Sequence, residues 1–353
     1  MMRIIVDVMG GDNAPLETVK GVCQAAAEYN ASYILVGDKS EIEKVALENE
    51  LDIGKFEIVH TETVITLEDE PLSVMRAKND SSMSIALKML SEGRGDVLVS
   101  SGNTGALFTG ATLIVRKIKG INRAALAGVL PMSRPMLLLD CGANISVTDE
   151  CLEQFAVMGS AYMKKVYGIE SPRVGLLNSG AEAHKGTQLQ LDAYKRLSAR
   201  DDINFVGNVE ADLVPFDGCD VLVTDGFTGN VLLKSTEGMG RLLTHILNDV
   251  YSTRAAKVSA LVIKKKIDAL KKDFDASEHG GAPLLGISRP VIKAHGSSDA
   301  KAFKNAIKQA INYYNSGMLY DIAGVAAEFV AKRKRLAEFG EEAQKKNEKE
   351  TEK

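Results

Sequence analysis

Short apolar runs that end on a glycine turn and pass straight into a helical period recur along this whole chain. That alternation commits it to stacked βαβ units around a mostly parallel sheet. The turns are Met9-Gly10-Gly11-Asp12-Asn13, Ser101-Gly102-Asn103-Thr104-Gly105, Asp140-Cys141-Gly142-Ala143-Asn144, Asn178-Ser179-Gly180, Gly207-Asn208, Asp225-Gly226-Phe227-Thr228-Gly229-Asn230 and His295-Gly296-Ser297-Ser298. The sixth carries the pattern furthest: residues 220–223 read as a strand, 225–230 as a tight turn, and the stretch from Asn230 to Lys234 as the first turn of a helix. Unpaired backbone N–H groups at such a start, with the helix dipole behind them, form a ready anion site.

The coarse pass supports one α/β domain. Strands are read at 3–8, 33–36, 56–59, 96–99, 125–130, 136–139, 173–177, 204–206, 221–223 and 291–293. Helices are read at 16–29, 40–49 with Ser40 as cap, 82–90, 106–115, 150–166, 184–197, 300–314 and 322–339. Every glycine turn then follows a strand, which places them all on one edge of a parallel sheet, where open α/β folds take their ligands. The expected domain is 1–340, with a charged tail at 341–353 that holds almost no apolar residue and is expected to be disordered.

Composition excludes several function classes. The chain has 353 residues with 45% hydrophobic and 25% charged residues and a formal charge of −4, so it has the make-up of a globular protein without the basic footprint that nucleic-acid binding requires. No nucleic-acid partner is expected. Cys23, Cys141, Cys151 and Cys219 have no C-x-x-C spacing, which points to a reducing, cytoplasmic setting. No leader is read ahead of Ile4-Ile5-Val6, and no apolar run approaches the ~18 residues of a membrane span.

Familiar catalytic signatures are absent. There is no G-x-G-x-x-G after a strand, no G-x-x-x-x-G-K-[ST] and no G-x-S-x-G. The histidines lack ligand spacing, so neither a metal nor a cofactor is expected. Cys141 sits in a glycine turn, but no histidine is close in sequence, and a packed thiol is the more common occupant of a strand end. What remains is Asn13, Asn103, Asn144, Asn178, Asn208 and Asn230 with Lys185, Lys234 and His295. Any one asparagine can be a plain turn former. Repeated after nearly every strand, the device suits a reaction on an anion that needs positioning and charge stabilisation but no built-in nucleophile.

The segment after 240 differs in style. Leu247, Tyr251, Ala255, Val258, Leu261 and Val262 share one helical stripe, whereas Ile263, Ile267, Leu270 and Phe274 lie on a stripe rotated by roughly 150°. A helical arm at about 240–276 with a break near 262–264 is therefore expected. Residues 252–275 hold seven basic and three acidic side chains, a local +4. Val258, Leu261, Val262, Lys264, Lys265 and Lys266 are the expected face toward an anionic membrane surface or an acidic protein, with a solvated dimer-packing pair as the alternative.

These motifs, in this order over about residues 3–330, resemble the bacterial phosphate acyltransferases, the acyl-carrier-protein:phosphate acyltransferase (PlsX) family. The resemblance implies transfer of a fatty acyl group from the thioester of acyl carrier protein to inorganic phosphate. The acyl phosphate so formed would feed phospholipid synthesis through a membrane-bound acyl phosphate:glycerol-3-phosphate acyltransferase (PlsY). It also implies a homodimer, peripheral attachment to the inner face of the cell membrane, and a three-layer α/β/α sandwich related to phosphotransacetylase and isopropylmalate dehydrogenase-like folds, with a protruding amphipathic helix pair. This chain keeps only Glu182 of the acidic residues usual before Lys185-Gly186, has Cys141 in place of Val, and lacks the basic residue usual after Glu210.

Taken with the clustered turns, the resemblance assigns Lys185, Asn230, His295 and Asp225 to catalysis. Gly10, Gly11, Asp12, Ser101, Gly102, Asn103, Thr104, Asn144, Asn178, Gly229, Gly296 and Ser297 are assigned to phosphate and substrate binding. Two alternatives stand beside it: a short-chain phosphotransacetylase, and a non-catalytic, membrane-docked scaffold for acyl carrier protein.

Overall fold

The computed structural model describes residues 1–130, 132, 134–250 and 280–351. The strands are β1 (Arg3–Asp7), β2 (Ser32–Gly37), β3 (Glu57–His60), β4 (Val97–Ser100), β5 (Ala125–Leu130), β6 (Met136–Leu139), β7 (Arg173–Leu177), β8 (Asn204–Val209), β9 (Val221–Val223), β10 (Ala282–Leu285) and β11 (Val291–Lys293). The helices are α1 (Leu16–Glu28), α2 (Lys39–Glu48), α3 (Ser82–Ser91), α4 (Thr104–Gly110), α5 (Asp149–Tyr167), α6 (Gln188–Ser198), α7 (Gly226–Val250), α8 (Ala300–Asn315) and α9 (Met318–Thr351). The expected helix break and the face formed by Val258, Leu261, Val262, Lys264, Lys265 and Lys266 lie outside the described residues.

One sheet joins all the strands in the order β3-β2-β1-β4-β11-β10-β5-β6-β9-β7-β8. Alternation along each buried strand sends neighbouring side chains to opposite faces. Ile4 and Val6 join a core under α1, α5 and α8, while Ile5, Ile34 and Leu98 join a second core under α3 and α4. The result is the three-layer α/β/α sandwich.

Its direction corrects the sequence reading. β10 runs antiparallel to both β11 and β5, and β5 runs antiparallel to β6. The half β6-β9-β7-β8 therefore runs opposite to the half β3-β2-β1-β4-β11. The glycine turns consequently leave the sheet at two opposite edges rather than one. β10, a strand the sequence reading did not include, is antiparallel to both of its neighbours, so β5 runs with β11 and the two halves change direction at the β5–β6 pair.

Smaller corrections have local causes. Asp38 rather than Ser40 caps α2, accepting from the amides of Ser40 and Glu41. The helix expected from His184 begins at Gln188, because Gly186 sits at φ +95°, outside the helical region, and Thr187 with Gln190 forms a capping box. The turn α4 passes into a π-helical stretch over Ala111–Arg116. The backbone of α9 continues as helix through the charged stretch from Glu341, for which the sequence predicts no fixed structure. Among the described residues no helix is long and apolar enough to cross a membrane.

Candidate active site

The turns after β1, β4 and β11 close on each other backbone to backbone. A Cβ on Gly10 would stand 2.6 Å from the amide nitrogen of Gly102, so neither turn has room for a side chain there. Gly11 adopts φ +103°, a conformation glycine reaches without steric cost, and Ser101 Oγ donates to Gly10 O at 2.6 Å. Asp12 N donates to Gly296 O at 2.8 Å, which binds the third turn to the first. Beneath them Asp7, fully buried, accepts from Ser82 Oγ and Ser100 Oγ, each at 2.7 Å. Burial pushes its carboxyl up, and the two hydroxyls pull it part of the way back.

The second cluster is built on Asp140, at the end of β6. Its carboxylate accepts from the amides of Leu126, Gly142, Ala143 and Asn144 and from Asn144 Nδ2, which fixes the turn as one piece. The first turn of α7 rests on that piece. Gly226 N donates to Asn144 O at 2.7 Å, and a Cβ at Gly226 would stand 2.6 Å from the same oxygen. Asp225 caps α7 through Thr228 N and Thr228 Oγ1, each at 2.8 Å. The glycines of Asp225-Gly226-Phe227-Thr228-Gly229-Asn230 thus serve close helix–turn packing.

From there α7 crosses β6 and β5 toward the end of β11, bridging the two opposed turn clusters. Between them lies a cleft of about 890 Å³ whose wall includes Thr104, Cys141, Gly142, Asn230, Lys234, Glu237, Lys293, His295, Gly296 and Ser297. Leu126, Val129 and Leu233 supply an apolar side. Lys234, one helical turn after Asn230, pairs with Glu237 at 2.8 Å and stands 3.4 Å from His295 Nε2.

The proton on His295 follows from its neighbours. Ser297 N donates to Nδ1 at 3.2 Å, so in the neutral ring the hydrogen is on Nε2. Nε2–H and the Lys234 ammonium are then two donors side by side, and neither can accept from the other. Partial burial in the cleft, followed by the Lys234 charge, pushes the imidazole below its usual value and keeps it neutral near pH 7. Cys141 shows the opposite effect: burial, then Asp140 beside it, pushes the thiol well above its usual range, so it lines the cleft as a thiol and not a thiolate.

Of the residues singled out from sequence, Asn230, Thr104, His295, Gly296 and Ser297 line the cleft, and Gly10, Gly11, Asp12, Ser101, Gly102 and Gly229 frame it. The asparagines divide sharply. Asn103 spends its amide on the carbonyls of Thr66, Leu67 and Asp69, and its oxygen caps α4. Asn144 gives both hydrogens to Ala124 O and Asp140. Asn178 donates to Lys185 O, Asn208 to Glu182 O, and Asn13 to the carbonyls of Ser297 and Ser298. Of the six, Asn230 keeps its amide unspent among the described residues.

Lys185 lies apart from the cleft wall, exposed on the segment 181–188. Asn178 Nδ2 donates to Lys185 O, which ties the Lys185 backbone to the turn after β7, the strand that pairs with β9. Sequence reasoning missed Lys293 and Glu237. Lys293 lies two residues before His295 at a strand end, and that i, i+2 spacing was the available signal.

Residues 2–320 match the family described as "Fatty acid synthesis protein". The chain is 45% identical over 324 residues to a phosphate acyltransferase of Clostridioides difficile (strain 630), covering 91% of this chain and 95% of that one. The fold is similar to that of a phosphotransacetylase from Streptococcus pyogenes, with a TM-score of 0.61, 17% identity and coverage of 93% and 94% of the two chains. It is similar also to a protein of Salmonella typhimurium assigned as a 4-hydroxythreonine-4-phosphate dehydrogenase, with a TM-score of 0.50, 11% identity and coverage of 88% and 98%. With a family match over nine-tenths of its length and a relative of this identity, the chain belongs to the phosphate acyltransferase family.

Proposed function

We propose that this enzyme transfers a fatty acyl group from the thioester of acyl carrier protein to inorganic phosphate. The observation that carries the reading is the pair of donors, Lys234 Nζ and His295 Nε2, 3.4 Å apart beside the unspent amide of Asn230. Lys234, whose charge is partly met by Glu237, and the two neutral donors of His295 and Asn230 line one cleft, a donor set that suits an anionic acceptor or an oxyanion.

A phosphate oxygen attacks the thioester carbonyl carbon, a C–O bond forms, and the carbonyl oxygen takes the negative charge in the tetrahedral intermediate. As that charge returns, the C–S bond breaks and the sulfur leaves as thiolate. The proton of hydrogen phosphate ends on that sulfur, so acyl phosphate and thiol are the products. Lys234 holds phosphate, Asn230 and His295 Nε2–H donate to the oxygens that gain charge, and Asp225 positions Asn230 by capping α7. The framing turns, with Gly10, Gly11, Asp12, Ser101, Gly102, Thr104, Gly229, Gly296 and Ser297, keep these groups in place. Lys185, exposed on the segment after β7, meets the incoming acyl donor. The apolar side formed by Leu126, Val129 and Leu233 takes the start of the acyl chain.

The deciding experiment is acyl phosphate formation from purified protein, phosphate, and long-chain thioesters of acyl carrier protein or of coenzyme A. Preference for the carrier-protein thioester supports the reading. Turnover restricted to short-chain coenzyme A thioesters would make the enzyme a phosphotransacetylase, and absence of acyl phosphate would leave a scaffold.

The proposal extends to a cytoplasmic homodimer attached peripherally to the inner face of the membrane, handing acyl phosphate to a membrane-bound glycerol-3-phosphate acyltransferase (PlsY). Two features support this: the local +4 charge of residues 252–275 and the exposed apolar stripe of Met239, Leu242, Leu243, Ile246 and Val250 on α7. Liposome co-sedimentation of Leu261→Glu tests the attachment, and undiminished binding removes that role from this face.

A further inference from the structure

In-register strand neighbours share a face, and one such row runs Asp7, Ser100, Lys293, Ala282 across β1, β4, β11 and β10. Lys293 is 8% exposed, yet it lines the cleft. Its ammonium donates to Ser101 O at 3.1 Å and to Ala294 O, and both of these are carbonyls. Among the described residues no carboxylate lies within ion-pair distance of it. Asp7 is two strands away, roughly 10 Å by interstrand spacing, and its carboxylate is occupied by Ser82 and Ser100. Asp12 faces the ammonium from the turn after β1, and Lys234 and His295 face it from α7 and the turn after β11.

A buried ammonium is costly unless it is compensated, and two carbonyls supply hydrogen-bond acceptors but no opposite charge. An ammonium has three hydrogens, and only two are spent. The third finds no acceptor among the described residues, and Lys293 lines the cleft between the small neighbours Ser100 and Ala282. Burial pushes this lysine down to about 8, against the pull of Asp12 and Asp7.

We infer that Lys293 is a further substrate-binding residue, the buried cation on which the phosphate is seated from the sheet side while Lys234 faces it from α7. Phosphate bound there supplies the missing negative charge, and the lysine gives the site a floor that water cannot screen. The inference deepens the phosphate-transfer reading and rests on it for the identity of the anion.

The test uses the full-length protein and the variants Lys293→Met and Lys293→Arg. With Lys293→Met the KM for phosphate is expected to rise about 10- to 100-fold, the loss of one charge-assisted hydrogen bond, while the KM for the acyl donor stays within twofold. Lys293→Arg recovers part of the loss. An unchanged phosphate KM in Lys293→Met overturns the inference while leaving acyl phosphate formation intact.

Thermal melting of the wild-type protein with and without sulfate, whose charge is constant from pH 7 to pH 9, gives a readout independent of turnover and of whether the variants fold. Stabilisation by sulfate is expected at pH 7 and is expected to be much smaller at pH 9, above the value near 8 for this lysine. Equal stabilisation at both pH values overturns the inference. Lysine-dependent sulfate binding without acyl phosphate formation would instead refute the reaction and keep the anion site.

Discussion

Gly229 lies against the carbonyl oxygen of Asp140, with no room for a methyl group between them. The contact fixes the height at which α7 leaves the sheet, and hence where Asn230 and Lys234 stand. Gly229→Ala is therefore expected to lift the helix start, costing about 1–3 kcal/mol of stability by overpacking. Because the proposed donors Asn230 and Lys234 ride on this helix, kcat should fall with it. Denaturant unfolding together with steady-state kinetics checks this, and wild-type values for both would show that the turn yields without consequence.

Asn230, read from sequence as closing a turn but placed inside α7, and Asn103, the N-cap of α4, have opposite uses. The Asn230 amide is unspent, so Asn230→Ala should leave stability within ~0.5 kcal/mol and lower kcat by about 10²–10³. Asn103 caps α4 and ties down the carbonyls of Thr66, Leu67 and Asp69. Asn103→Ala should cost at least about 1 kcal/mol of stability. A stable, fully active Asn230→Ala would remove that residue from the mechanism.

How much of this was legible in the sequence depends on the range of the interaction. Strand–turn–helix order is local, and β5, β6, β7 and β11 begin and end where patterning puts them. Sheet direction is set by pairing between distant segments. β10 is short, begins directly after glycines and pairs antiparallel on both sides, and β5 pairs antiparallel with β6, so nothing local announces where the sheet changes direction. The asparagines show the same limit. Their residue type reads as a turn and their position as a site, but whether an amide is spent on Asp69 O or left unspent depends on segments far away in the chain. Lysines fared worse, because Lys185 sits in a motif yet is exposed, while Lys293 sits in an ordinary strand end yet is buried.

His295 should couple stability to pH. Its folded value lies below the unfolded one near 6.5, so the unfolded chain binds the proton more readily. The contribution is fully present above pH 6.5 and is lost as pH falls below it. His295→Gln keeps an N–H donor without titrating. The variant should hold kcat within about tenfold, against ~10²-fold loss for His295→Ala, and should flatten the decline of unfolding free energy between pH 7 and pH 5. An unchanged slope would show that His295 titrates as it does in the unfolded chain.

The exposed stripe on α7 has spacing 239, 242, 243, 246 and 250, one face of a helix turned away from the protein's own core. The proposed homodimer would cover it with a second copy. Leu243→Glu should convert a dimer to a monomer in sedimentation velocity at micromolar concentration. A wild-type protein that sediments as a monomer would leave the stripe to another partner.

Lys234 and Lys185 test which cation meets the phosphate. Glu237, with its side chain 10% exposed, is paired with Lys234 at 2.8 Å. Lys234→Ala leaves that carboxylate unpaired on the cleft wall, where it repels phosphate as well as depriving it of a donor. The expected loss in kcat/KM for phosphate is about 10²–10³, the loss of one transition-state donor with its partner carboxylate stranded. Adding Glu237→Gln to Lys234→Ala should recover part of it, because the stranded charge goes with the substitution. Lys185 has an exposed ammonium on the approach, so Lys185→Ala should act mainly on the KM of the acyl donor, by about tenfold or less, with kcat within a few-fold. The reverse ranking, a dead Lys185→Ala beside an active Lys234→Ala, would move the phosphate from α7 to the Asp225 edge of the sheet.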